Sequence, residues 1–135
     1  MKVLFFIPSL EYGGAELTII NLANHFSLLG HDVLITTLGQ YKRTNSGINK
    51  DISVFEMNEN STSLNFFSKI LNFFHRLVRL RAHLKKTEPD VAISFLTEAN
   101  TILLSASIGI NANIIISERT HPKYHKISTF YRVLR

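Results

Sequence analysis

The chain moves between two hydrophobic periods. Val3-Leu4-Phe5-Phe6-Ile7 is an unbroken apolar run closed by Pro8, so residues 2–7 read as a short buried strand. Residues 15–29 shift to helical spacing, where Leu17, Ile20, Leu22 to Ala23 and Phe26 to Leu28 form a broad apolar face. Gly30 is the natural stop for that helix. His31 to Leu38 reads as a second strand around Val33, Leu34 and Ile35. Gly39 to Lys50 is rich in Gly, Asn and Ser and reads as a loop. Ile52 to Met57 reads as a third strand. Asn58 to Ser63 is a second loop, with Ser63 placed to cap the next helix. Residues 64–87 carry the longest helical pattern, ended by Pro89 and Asp90. Asp90 to Phe95 reads as a fourth strand, residues 98–108 as a helix, Asn113 to Ser117 as a fifth strand and residues 126–135 as a further helical pattern. Strands that alternate with helices predict an α/β fold, a parallel sheet with helices on both faces. Ligands on such sheets sit outside the C-terminal strand ends, which singles out the loops 8–14, 96–98 and 117–123.

Composition narrows the picture. The 135 residues suffice for one domain with a real core, and 45% hydrophobic with 19% charged residues argues against disorder. The absence of cysteine excludes a disulfide framework and a thiolate metal site. The six histidines, at 25, 31, 75, 83, 121 and 125, form no zincin-type pair, which argues against a metal site. A net charge of +5 suits nucleic acid, an anionic membrane or a phosphorylated substrate. No RNP, KH or zinc-finger pattern is present, and the basic residues are not interleaved with loop aromatics, so nucleic acid is set aside as a partner. The apolar start is too short for a signal segment, and no stretch is long enough to span a bilayer. The expected location is cytoplasmic, with membrane contact only at the surface.

The candidate chemistry lies between the first strand and the first helix. Gly13-Gly14-Ala15-Glu16 puts two glycines and an acid where a helix begins. A helix N-terminus offers unpaired N–H groups and a positive dipole end. Glycines let a phosphate approach without a Cβ in the way. A dinucleotide fingerprint needs G-x-G-x-x-G and an acid at the end of the second strand; the chain has neither, since that strand ends Thr36-Thr37-Leu38-Gly39. A P-loop needs Gly-Lys-Ser/Thr, also absent. A diphosphate or sugar-phosphate cradle and a plain tight turn remain. Glu16 reads equally as a first-turn acid favoured by the dipole or as a sugar-hydroxyl ligand, and Glu98 reads first as an acid of the same kind at the next helix start.

A longer phrase separates these alternatives. Gly13-Gly14-Ala15-Glu16, then Asn21-Leu22-Ala23-Asn24, then Leu29-Gly30-His31-Asp32-Val33 resembles the opening of the family-4 glycosyltransferases of the GT-B fold. Pro89-Asp90-Val91-Ala92-Ile93-Ser94-Phe95-Leu96-Thr97 and Ile114-Ile115-Ile116-Ser117-Glu118-Arg119-Thr120-His121-Pro122 extend the resemblance over nearly the whole chain. It implies a Rossmann-like, N-terminal, acceptor-side half of a two-domain enzyme. The C-terminal half, with its paired-glutamate motif and most of the donor contacts, is not in these 135 residues. The uncapped, basic ending at Arg135 reads as a truncation. The implied reaction moves a hexose from a nucleotide sugar, with retention and without a metal or other cofactor, to a polysaccharide or polyprenyl-linked acceptor. Gly13 and Gly14 fall near the donor diphosphate, and Glu16, Thr97, Glu98 and Glu118 join them as substrate-binding candidates. Many members have a histidine in the loop after the fifth strand. Here Arg119 stands there, with His121 two residues on, and these two are the catalytic candidates. Arg119 suits phosphate oxygens or an acceptor but cannot act as a general base. One wall of a cleft positions substrates poorly, so residues 1–135 alone are expected to be inactive.

The 64–87 helix supports two readings. Phe66, Phe67, Ile70, Leu71, Phe73, Phe74, Leu77 and Val78 make a wide apolar face, and Lys69, Asn72, Arg76, Arg79, His83 and Lys86 recur as a polar stripe opposite it. One reading is a core helix with a solvated basic face. The other is attachment to anionic lipid at the inner face of the cell membrane, beside a polyprenyl-linked acceptor. At the level of the whole chain the alternative to an enzyme half is a stand-alone, non-catalytic module binding a phosphorylated ligand or an anionic membrane.

Overall fold

A computed structural model describes residues 1–11, 13–39, 47–58 and 66–118. Its centre is strand β1, Lys2–Ile7, in which Val3 to Ile7 are all buried. Side chains alternate across a strand, so the unbroken apolar run feeds two cores. Leu4 and Phe6 pack with Phe73, Leu80, Leu84, Ile102 and Leu103 on one face, and Phe5 and Ile7 pack with Ile19, Ala23 and Ile35 on the other. A strand covered on both faces needs no polar alternation.

Around β1 the chain builds a five-stranded sheet in the order β3-β2-β1-β4-β5, with every pairing parallel. The other strands are β2 at Asp32–Thr37, β3 at Ser53–Glu56, β4 at Val91–Phe95 and β5 at Asn113–Ser117. Helix α1, Gly14–Leu28, covers one face, and helices α2, Phe66–Thr87, and α3, Thr97–Ala106, cover the other and pack on each other. The expected α/β class, a parallel sheet with helices on both faces, is the observed one. Chain order runs outward from β1 through β2 to β3, then crosses to β4 and β5 on the other side of β1. The reversal leaves a switch point at the C-terminal ends of β1 and β4, where open α/β sheets hold their ligands. The start of the sheet is pinned by the Lys2 backbone N–H donating to Asp90 Oδ2 at 2.6 Å and by Lys2 Nζ donating to the Thr87 carbonyl at 2.8 Å.

Two elements depart from the sequence reading. In α1 only Ile19 and Ala23 are fully buried, while Leu17 and Leu28 are exposed, so the broad apolar face is narrower in use than in composition. In α2 the middle of the expected solvated stripe, Arg76, Arg79 and His83, is turned inward together with Arg81, while Lys69 and Lys86 are exposed. Arg76 Nη1 meets Glu98 Oε1 at 2.6 Å and is only 13% exposed. Arg79 Nη1 donates to the Met57 carbonyl at 2.5 Å, and Arg81 Nη1 donates to the carbonyls of Ala106 and Ile108. His83 stacks on Phe55 with ring centres 4.1 Å apart, and its Nε2 lies 3.1 Å from Thr36 Oγ1. Long cationic side chains can lie along apolar surface and still deliver their heads to carbonyls. The space freed outside is taken by Phe67, Leu71, Phe74 and Val78, all exposed. The 126–135 pattern and the Ser63 cap lie outside the described residues.

Half-burial, and next the positive charge of Lys86, lowers the His83 pKa. The folded protein therefore binds fewer protons than the unfolded chain between that depressed value and about 6.5, the ordinary imidazole value. The neutral ring's contribution to stability is complete above pH 6.5 and is lost as the pH falls from there through the folded-state pKa. Urea denaturation between pH 8 and pH 5 is expected to show stability declining below about pH 6.5. In His83→Gln that decline becomes shallower; an unchanged profile would mean the ring titrates at the same pH in the folded and unfolded chain.

Candidate functional site

The C-terminal rim of the sheet is built from three segments. The loop after β1 leads through Pro8 to Gly13, which caps α1 with no side-chain hydrogen bond at the cap. Gly13 is extended, at φ −157° and ψ 167°, and neither Gly13 nor Gly14 has a positive φ. The backbone thus does not demand glycine at either position. What glycine supplies is room: a Cβ on Gly14 meets nothing within 4 Å. At Gly13 a Cβ would run into the carboxylate of Glu16, which folds back over it. The first N–H groups of α1 are left without intrahelical acceptors by helix geometry, and an acid in the first turn complements them.

The second segment follows β4. Leu96 holds φ +78° and ψ 143°, a conformation that costs a branched side chain on the order of 1–3 kcal/mol. Its backbone N–H donates to the Ser117 carbonyl at 3.3 Å. That strained residue starts α3 directly at the rim. The third segment is the end of β5. Thr97 Oγ1 donates to Glu118 Oε1 at 2.8 Å, joining the end of β4 to the end of β5.

Beneath this pair lies a buried polar relay. Ser94 Oγ donates to Asn100 Oδ1 at 2.7 Å, and Asn100 Nδ2 donates to the Ser117 carbonyl at 3.1 Å. Ser94 is fully buried and Asn100 is 5% exposed. Satisfied on both sides, Asn100 locks β4, α3 and β5 in one arrangement. Along α3, Thr97, Thr101 and Ser105 stand one turn apart, and the hydroxyls of Thr101 and Ser105 donate to the carbonyls four residues back. Their lone pairs remain as acceptors. With Asn100, Leu104, Ile116 and Glu118 they line a cleft of about 320 Å³. Hydroxyls, one carboxylate and two aliphatic side chains suit a neutral, hydroxyl-rich ligand.

The structure brings Thr97 and Glu118 into contact and places Gly13, Gly14 and Glu16 at the helix start across the switch point. Glu98, in the first turn of α3, is drawn to Arg76 of α2. Arg119 and His121 lie outside the described residues. Among the described residues no group of three or more His, Cys, Asp or Glu is placed to hold a metal ion, and no helix is long and apolar enough to cross a membrane. Sequence reasoning missed Asn100 and Leu96. The signal for Asn100 was an amide inside an apolar helical face between Ala99 and Ile102; nothing in the composition around Leu96 marks its backbone.

No model of a known protein family matches the chain. A curated Campylobacter jejuni protein is 33% identical over 139 residues, covering 100% of this chain and 36% of that protein. Its name is GalNAc-alpha-(1->4)-GalNAc-alpha-(1->3)-diNAcBac-PP-undecaprenol alpha-1,4-N-acetyl-D-galactosaminyltransferase. Among solved structures, the apo lipopolysaccharide outer core galactosyltransferase WaaB superposes with a TM-score of 0.65 at 18% identity, over 93% of this chain and 35% of that one. A glycosyltransferase from Rickettsia africae gives 0.66 at 21% identity, over 98% and 32%. Anabaena HepE, solved with UDP and glucose, gives 0.60 at 18% identity, over 99% and 34%. The chain spans about a third of the length of each of these proteins.

Asn100→Leu is expected to lower unfolding stability by about 1–3 kcal/mol, because it strands a buried Ser94 hydroxyl and leaves the Ser117 carbonyl with only the Leu96 N–H. Urea denaturation measures this, and a loss below ~0.5 kcal/mol would mean that water replaces the amide. The α/β sheet described above is the fold of GT-B glycosyltransferases over that third of their length.

Proposed function

We propose that this chain is the N-terminal, acceptor-side half of a family-4 retaining glycosyltransferase, moving a hexose-type sugar from a nucleotide donor to a polysaccharide or lipid-linked acceptor. The observation that carries the reading is the 33% identity that runs the full length of this chain to a transferase named for an undecaprenol-diphosphate-linked acceptor. The likeness to a fold solved with UDP and glucose supports a nucleotide-sugar donor.

The rim offers chemistry to match. Transfer from a nucleotide sugar leaves a diphosphate, and the charge that grows on it must be stabilised. The open N-terminus of α1, with glycine at Gly13 and Gly14, lets phosphate oxygens reach backbone N–H groups directly. In this reading Glu16 swings off Gly13 as the donor enters and meets a sugar hydroxyl. Thr97 and Glu118, which line the hydroxyl-rich cleft, take the acceptor in this reading. Arg119 pairs with phosphate oxygens and His121 lines the site beside it. Glu98 serves the site by anchoring α3 to α2. In this reading the other wall of the cleft comes from the part of such a transferase that residues 1–135 do not span, and residues 1–135 alone are expected not to transfer sugar.

The test is a donor screen on the full-length protein, followed by variants in the best donor. A Cβ on Gly14 meets no neighbour, and Gly14→Val extends that side chain into the space in front of α1. It is expected to cut kcat/KM for the donor by more than about tenfold while thermal unfolding stays near wild type. Arg119→Ala is expected to cut turnover by well over tenfold. Near-normal activity in both variants would remove the diphosphate assignment at α1 and the role given to Arg119.

A further inference from the structure

We propose that Asn100 is a positioning residue of the sugar-transfer site: it fixes the Ser117–Glu118 peptide and so sets where the Glu118 carboxylate stands at the cleft. This role rests on the function proposed above. Ser117 closes β5, and its carbonyl accepts from the Leu96 N–H at 3.3 Å, the last rung between β4 and β5. The same carbonyl accepts from Asn100 Nδ2 at 3.1 Å. A carbonyl oxygen has two lone pairs, and here each meets a donor. Held from two sides, the planar peptide that follows cannot turn freely, and its plane sets the course of the chain into Glu118.

Asn100 can hold that carbonyl because its own amide is held. Ser94 Oγ donates to Asn100 Oδ1 at 2.7 Å. An amide turned end for end would set two acceptors, its oxygen and the Ser117 carbonyl, against each other. Ser94 and Asn100 are both buried, so water does not compete for these bonds. Apolar side chains at 94 and 100 would continue the core of Phe6, Ala99, Ile102 and Leu103 with no polar atom to satisfy. A buried, fully paired relay in that place specifies geometry.

The grip has a second point. Thr97, one turn before Asn100 on α3, donates from Oγ1 to Glu118 Oε1 at 2.8 Å. The first turn of α3 thus takes Ser117 by its carbonyl and Glu118 by its carboxylate. Leu96, strained at φ +78°, heads that turn and is tied to the same carbonyl. The Asn100 amide is committed at both ends within the protein, so it acts on a bound sugar through Glu118. A displacement of about 1 Å at such a group costs on the order of a hundredfold in rate.

The test uses full-length protein, the best nucleotide sugar of the donor screen, and hydrogen exchange at the Leu96 N–H. Ser94→Ala lets the Asn100 amide turn. It is expected to lower kcat about five- to tenfold and to leave the donor KM within about twofold, since the donor diphosphate is assigned to α1. Asn100→Asp keeps the shape and the bond from Ser94. Burial raises the pKa of that carboxyl, which donates to the Ser117 carbonyl while protonated and repels it once ionised. The ratio of its kcat to wild type is expected to fall as the pH rises from about 5.5 to 8.5. Glu98, Arg76 and Glu118 are common to both proteins and cancel in that ratio. Ile102→Val, a core change on the same helix, is expected to keep kcat within about twofold of wild type. Exchange of the Leu96 N–H is expected to quicken about tenfold in Ser94→Ala and to stay near wild type in Ile102→Val. A kcat in Ser94→Ala no lower than in Ile102→Val would overturn the assignment, as would an Asn100→Asp protein equal to wild type across that pH range. If the wild-type protein transfers no sugar from any donor, the enzymatic reading falls and exchange decides the clamp alone: unchanged Leu96 exchange in Ser94→Ala would overturn it too, and faster exchange would keep it.

Discussion

The burial of β1 on both faces is the constraint on which the rest of the structure depends. Its apolar side chains, each worth about 1.5–3 kcal/mol when removed from water, cannot all be covered by one layer. One set needs α1 and the other needs α2 and α3. Parallel pairing on both edges is made by one crossover from β1 through α1 to β2 and a second from β3 through α2 back to β4 on the far side of β1. The strand order reverses at β1, and this opens the sheet's rim between β1 and β4. The candidate site sits where the chain's own packing problem leaves a gap.

The rim shows how a rigid scaffold and an adaptable surface are combined. Below the gap, the Ser94–Asn100–Ser117 relay fixes β4 against β5 with buried polar contacts whose removal is costly. Above it, the groups offered to a ligand are backbone N–H groups at α1 and hydroxyl lone pairs along α3, which need little rearrangement to accept one. Leu96 joins the two levels. Its unfavourable backbone is held by a hydrogen bond to Ser117 and by the packing of its side chain on the α1-side core. Strain that persists beside a candidate site is held there by its surroundings.

Much of this is legible in the sequence because buried parallel strands write themselves as apolar runs. Residues 2–7 and 113–117 coincide with β1 and β5, and the remaining elements differ from their readings by a residue or two at their ends. The glycine pair does mark a helix start, yet neither glycine is left-handed, and a Cβ on Gly14 would meet no neighbour. Helix α2 is the hard case. Periodicity separates apolar from polar positions but does not say which half of a wide apolar arc meets the core. Arginine hides the answer, since its stem packs like an aliphatic chain and its head finds a carbonyl. Arg79 and Arg81 do so here, and the outer phenylalanines are left outside. Relays such as Asn100 are illegible for a related reason: the partners, Ser94 and Ser117, are unremarkable until the fold makes them neighbours.

The two halves of α2 are therefore not independent. The inner row of Phe73, Leu80 and Leu84 closes the sheet, and the arginines on its border bond to Met57, to Glu98 and to the C-terminal end of α3. The start of α3 is Leu96 and Thr97, at the rim. A helix held at both its ends by another helix does not move alone. Arg76–Glu98 is the bond by which α2 holds the first turn of α3 at the cleft's rim.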